Sequence, residues 1–252
     1  MPFKLIVQLS VRNLFRYPRR NGLLLLAIAF ALAGATLTNS LMRGWQYDML
    51  DRAVENLVGH VKVQASEYRD DPNMAHSFAL PANYEPKISG VEVAGWAPRI
   101  KVPAVILSER QSRGVQLVGI DPARENISFF SELAFAGETL ADIDDGRIVI
   151  GAELARQLQT AVGRKLVVLS QGADGKNRER GFRIAGTFDA DGTSLEKAFA
   201  FTGLAATQAF LGDRSSDSTP PLVTEVSVLL ADELRRNDAV AGLRTAFPDK
   251  DV

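Results

Sequence analysis

The stretch Gly22–Leu41, GLLLLAIAFALAGATLTNSL, runs for twenty residues without a charge. As a helix rising ~1.5 Å per residue it covers the ~30 Å hydrocarbon core of a bilayer. A spanning helix satisfies its own N–H and C=O groups, which lipid demands of any segment that crosses it. The alternative is the apolar region of a signal peptide, but such regions run to roughly 7–15 residues behind a short basic leader. Here twenty-one residues precede the apolar run, so a retained span over 22–41 is expected.

The flanks set its direction. Residues 1–21 contain Lys4, Arg12, Arg16, Arg19 and Arg20 and no acid. On the far side Arg43, Asp48, Asp51, Arg52 and Glu55 nearly cancel. The positive-inside rule keeps such an N-terminus cytoplasmic and sends residues 42–252 across, into the periplasm or extracytoplasmic space. Arg16, Arg19, Arg20 and, beyond the span, Trp45 are the expected interface anchors. With five of the 29 basic residues on the inner flank, 24 remain against 30 acids, so the exported part is formally −6. That balance argues against a nucleic-acid partner.

Before the span, Phe3, Ile6, Val7, Val11 and Leu14 share one side of a possible helix, with Lys4, Gln8, Arg12 and Arg16 on another. Leu5 and Leu9 blur the separation. Residues 1–21 read as a cytoplasmic elbow helix lying in the membrane interface; the plainer alternative is a basic topology signal. Within the span, Ala27, Ala31 and Ala35 recur every fourth residue beside Gly34, a small face of the kind that lets membrane helices pack closely. The helical period then continues through Met42, Trp45, Met49, Ala53 and Leu57, so 42–58 reads as a stalk helix broken at Gly59. Met42, Met49 and Leu57 are its expected coupling positions.

The rest reads as ordinary globular matter, with 46% apolar and 23% charged residues in the whole chain. There is no cysteine, which excludes disulfides, thiol nucleophiles and Cys-based metal sites. After Gly59 the period falls to two, giving a strand at Val61–Ala65. Ser66–Pro86 reads as loop. Strands are expected at Val91–Trp96, Val102–Leu107 and Gly114–Val118, with a turn from Gly119 to Pro122 and a loop with a helical piece over Asn126–Leu140. GRIVIG (146–151) is a strand leading into a helix over Ala152–Gln159. A hairpin follows, Leu166–Leu169 and Phe182–Ala185 around the tip 172–176. A strand at Phe199–Phe201, a helix at Leu204–Leu211 and a loop over Arg214–Pro221 come next. A strand at Val223–Leu229 and a helix over Asp232–Phe247, with Leu234, Val240, Leu243 and Phe247 inward, complete the chain. Separate short strands and few helices make an α+β fold: one N-terminal transmembrane helix with stalk, then a two-lobed mixed α/β domain over 59–252. The β-rich middle lobe is placed at about 98–193.

This order of pieces resembles the N-terminal half of an ABC transporter permease of the macrolide-exporter and lipoprotein-releasing (FtsX-like) superfamily. The residues that carry the likeness are NLFRYPRRNGLLLLAIAFALAGATL, LVGHVKVQASEY, VQLVGIDP, GRIVIGAELARQLQTAVGRKLVVLSQGADG and FRIAGTFD. The resemblance implies a dimeric permease with four spans per subunit, a large extracytoplasmic domain between the first two, and a separate ATPase partner. The last three spans of that pattern, with the cytoplasmic coupling helix, do not occur here, so the chain is expected to be a fragment of a longer permease. Glu196 stands where relatives often carry aspartate.

Catalytic patterns are sparse. His60 and His76 lack a second His–Glu pair at ligand spacing. Asp142, Asp144 and Asp145 form an acidic turn without the spacing or terminal glutamate of a calcium loop. Ser10, Ser108 and Ser170 have no nucleophile-elbow glycines, and no phosphate-binding loop is present. The chain is therefore expected to be no enzyme and to hold no cofactor or metal. Two readings remain. One is a permease subunit of an inner-membrane transporter, working with an ABC ATPase and a second permease subunit in extraction or export of lipoprotein, lipid or another substrate. The other is a single-span anchored periplasmic sensor or binding domain.

Overall fold

The computed structural model describes residues 17–53, 59–81, 84–190, 194–212 and 222–252, with the backbone alone at 41–53, 129 and 132. The elbow expected before Pro18, Arg16, Leu57 and the loop at 213–221 lie outside the described residues. The chain divides into two units, residues 1–52 and 53–252.

Among the described residues the first unit holds one helix, α1 (Pro18–Ala53), of 36 residues. Pro18 suits the first helical position, where its missing N–H has no intrahelical partner to lose. No further proline occurs before Pro72, so apolar run and stalk form one uninterrupted rod at least to Ala53. Gly59, where the stalk was expected to break, has φ +63°, and a Cβ there would lie 2.9 Å from the Val228 carbonyl oxygen. Only glycine fits that approach.

The second unit begins with β1 (Val61–Ala65) and the two-residue β2 (Phe78–Ala79). β3 (Val93–Leu107) turns back into β4 (Ser112–Ile120), and β5 (Ala134–Gly137) follows two 3-10 turns, Glu125–Ile127 and Phe129–Glu132. β6 (Ile148–Gly151) runs into α2 (Ala152–Gln157), and β7 (Lys165–Gln171) with β8 (Asn177–Asp189) forms the hairpin. Then come α3 (Leu195–Ala198), β9 (Phe199–Gly203), α4 (Leu204–Leu211), β10 (Leu222–Val223), β11 (Glu225–Leu230), α5 (Arg236–Ala246) and β12 (Lys250–Asp251).

Ten strands make one mixed sheet in the order β12-β1-β11-β3-β4-β9-β6-β8-β5, with β7 bridging β3 and β8. β3 corrects the expectation of two short strands at 91–96 and 102–107. Pro98, which falls between the two expected strands, and Pro103, within the second, both lie inside it. Each pairs on one side only, Pro98 with Val226 and Pro103 with Gln116, so neither missing N–H costs a ladder bond on a second side. The first half of β3 pairs with β11 and the second with β4 and β7.

Two groups of apolar side chains lie along this strand. Val61, Val63, Val226 and Val228 pack under Ala239 and Leu243 of α5. Beyond Arg99, Ile100, Val102, Leu117, Ile150 and Phe182 pack under α2 and α4, a core that runs on to Leu211, past the expected limit of the middle lobe. The opposite face of that half carries Val118, Phe188 and Phe201 beneath Phe130. Leu234 departs from expectation. It is 93% exposed, because Asp232 caps a 3-10 turn (its side chain accepts from Leu234 N at 3.0 Å) and α5 begins only at Arg236. Leu243 is buried, and Phe247 packs edge-on to Phe78 at 5.9 Å.

Candidate functional site

Between Pro18 and Ser40, α1 presents its apolar surface to the surroundings. Leu23 is 73% and Phe30 79% exposed. Ala27, Ala31 and Ala35 are exposed too, and a Cβ on Gly34 would meet nothing within 4 Å. The small face is therefore bare and open to another helix. Its two threonines are adapted to lipid: Thr36 Oγ1 donates to Leu32 O at 2.9 Å, and Thr38 Oγ1 to Gly34 O at 2.9 Å. Each hydroxyl is satisfied inside the helix, as a hydrocarbon environment requires. Arg19 and Arg20 are exposed at the basic end, and the Arg20 guanidinium sits 5.1 Å over the Tyr17 ring. Met42, Trp45 and Met49 lie within the helical backbone of the outer part.

In the second unit the chemistry concentrates where β3 passes from β11 to β4. Gln64, Glu225 and Arg99 stand opposite one another across β1, β11 and β3, so they share the face turned away from α5. Arg99 is fully buried. Its Nε and Nη2 donate to Glu125 Oε1 and Oε2 at 2.5 and 2.7 Å, and its Nη1 to Ser227 Oγ at 2.9 Å. Glu225 Oε2 accepts from Gln64 Nε2 at 3.1 Å, and Glu125 Oε2 also accepts from Ser128 Oγ at 2.9 Å. Burial alone would lower the Arg99 pKa, but pairing with Glu125 and Glu225 outweighs it and the value rises. Lys101, one turn of the pleat further on, is pushed down by burial, offset in part by Glu225. Desolvation, aided by Glu225, raises Tyr68, whose hydroxyl donates to the Lys101 carbonyl. Sequence reading missed this cluster; its members are spread over residues 64–227, and only strand register and the 3-10 turn at Glu125–Ile127 join them.

The other titratable groups are occupied locally. Glu196, 2% exposed, accepts from Glu153 N at 3.2 Å and Ala190 N at 2.9 Å, tying α2 to the end of β8. His60 Nδ1 accepts from Leu230 N at 3.0 Å, and His76 sits between Glu67 at 3.1 Å and Asp71 at 3.6 Å. In the acidic turn, Asp145 pairs with Arg147 at 2.8 Å, and that bond first of all holds its carboxyl at about 2. Ser108 and Ser170 donate their hydroxyls to the carbonyls of Leu158 and Pro103. Among the described residues no three His, Asp or Glu side chains converge as metal ligands. A shallow groove of about 580 Å3 lies over Pro103, Val105, Gln116 and Leu169 on the open face of β3, β4 and β7. It is apolar, with no paired acid and base.

Residues 22–246 match the family model described as the MacB-like periplasmic core domain. The chain belongs to that family, the extracytoplasmic module of ABC transporter permeases of the macrolide-exporter and FtsX-like type. It is similar to the extracellular domain of the ABC-type transporter YknZ from Gram-positive bacteria, at 14% identity and a TM-score of 0.47, over 75% of this chain and 95% of that one. It is also similar to a domain assigned to a permease protein of Porphyromonas gingivalis, at 18% identity and a TM-score of 0.39, over 68% and 76% of the two chains. No curated protein matches it by sequence.

Proposed function

We propose that this chain supplies the first span, stalk and periplasmic core of a permease subunit that couples ATP hydrolysis by a partner ATPase to extraction or export of lipoprotein, lipid or another substrate at the periplasmic side of the inner membrane. The observation that supports it best is the single rod α1, which joins a bare apolar surface to the stalk without a break. The core domain contributes shape and movement, and the ATPase contributes the chemistry. A second permease subunit packs on the Ala27, Ala31 and Ala35 face. Affinity purification of the intact protein from its own membrane should recover an assembly that hydrolyses ATP. A lone chain without ATPase activity would favour the anchored sensor instead.

Two narrower outcomes follow from the same reading. A reporter fused after Val252 should be active only on the extracytoplasmic side, because the five inner-flank cations hold the N-terminus in place; activity in the cytoplasm would reverse the orientation. Ala31→Leu should weaken association with the second subunit while leaving membrane insertion intact, since a bulky side chain separates the two backbones. Unchanged co-purification would mean that this face meets lipid.

A further inference from the structure

Arg99 is the last residue of β3 that pairs with β11, and Ile100 the first that pairs with β4. The Glu125–Ile127 turn, which leaves β4, comes back across this point; its N-cap Arg124 lies 4.3 Å over the Trp96 ring, and the turn itself is held in two places. One is the double bond from Arg99 to Glu125. The other is Ile127 against Gly95, where a Cβ on residue 95 would fall 2.4 Å from Ile127 Cγ2 and 3.9 Å from its Cβ. Arg99 also has a second carboxylate in reach. Glu225 Oε1 lies 3.6 Å from Arg99 Nη1, is buried, and accepts no hydrogen bond.

We propose that the Glu125–Ile127 turn is a latch across the junction of the two lobes, worked by exchange of Arg99 between Glu125 in the closed state and Glu225 in the open one. Releasing Glu125 removes two charge-assisted bonds from a buried guanidinium, a cost that opposes opening unless another carboxylate takes them over. Glu225 removes that cost. It stands directly opposite Arg99 in register, with one oxygen idle, so a side-chain movement alone completes the second pair. Glu125 meanwhile leaves with its own turn, taking Ser128 along, and can reach water. A well-packed apolar contact would hold the turn at least as firmly; two carboxylates around one guanidinium provide two discrete arrangements instead. In the open state the turn is free of β3, while Thr224 still holds the Arg99 carbonyl and the Lys101 N–H from the β11 side.

The chain has no cysteine, so Ile127→Cys, at a position 6% exposed, gives a single thiol whose alkylation reports opening. In the full chain, adding Glu125→Gln should speed labelling by at least roughly tenfold, because the closed pair is lost. Glu225→Gln should slow it, because the open state loses its partner and the closed state loses a like charge beside Glu125. Opposite signs are the signature of exchange; a cluster that only stabilises the fold gives faster labelling in both variants, and that result overturns the latch. Adding Gly95→Cys provides a second readout, since a 3.9 Å Cβ separation suits a disulfide. Oxidation of the pair should slow with Glu125→Gln and hold or quicken with Glu225→Gln, and the reverse order also rules the exchange out. If Glu125→Gln does not fold, Glu225→Gln decides alone: faster thiol labelling refutes the proposal.

Discussion

Arg99→Met should destabilise the domain by about 3–5 kcal/mol, because it leaves Glu125 and Glu225 buried without their cation. Whole domains hold only about 5–15 kcal/mol, so this one change removes a large share. Methionine fills much of the same space, which keeps the cavity contribution small and isolates the charge effect. Neutralising the acids as well, in Arg99→Met with Glu125→Gln and Glu225→Gln, should recover most of the loss, since an uncharged cluster strands nothing. Urea unfolding with an unchanged slope is the measurement. A single mutant that melts with the wild type would show that water reaches the cluster and that its burial is nominal.

Met49→Pro should leave the domain folded and abolish transport. Proline at 49 removes the N–H that bonds to residue 45 and clashes with that carbonyl, at a local cost of ~3 kcal/mol or more, and kinks the helix. The domain has its own core in residues 61–243 and does not depend on the rod for folding. In the assembled transporter ATP hydrolysis should persist while substrate release falls, because movement at the membrane is absorbed at the kink. Release at the wild-type rate in that variant would reduce α1 to a tether. The same experiment with Met49→Ala is the control, since alanine keeps the helix straight.

Much of the fold was legible because burial writes itself into period. The apolar run, the alternation at Val61–Ala65, and the GRIVIG strand with its following helix all declare their partners through spacing alone. Glycines in the family-like motifs have local reasons: a Cβ on Gly151 would fall 2.0 Å from Glu196 O, and one on Gly186 would fall 2.5 Å from Glu138 O. What was not legible depends on distant chain. Pro98 looks like a break until one knows that it has a neighbour on a single side. β5 and β12 are too short to carry a period, and β12 exists because Gln64 and Ala65 offer it an edge. Leu234 fits an inward helical stripe, yet Asp232 captures the local backbone first and turns it out. The Arg99 cluster was invisible for the same reason as β3: its members meet only through register and through the turn that brings Glu125 back to it.

That register also fixes a timetable. β1 leaves the membrane first, but its partners are β11, through Val61 with Val228, and β12, through Ala65 with Lys250. A ribosome adding ~5–20 residues per second needs on the order of 10–30 s to supply them. By then the second half of β3, with β4 to β9, has every strand it needs by Gly203 and can close first. β1 spends the interval as an unpaired strand, the hazard that charged side chains on edges exist to reduce. Lys62 occupies that position in VKVQA. The first strand to emerge is the last to be satisfied, so export that stalls before residue 225 would strand a half-built domain with its valines open to any other chain.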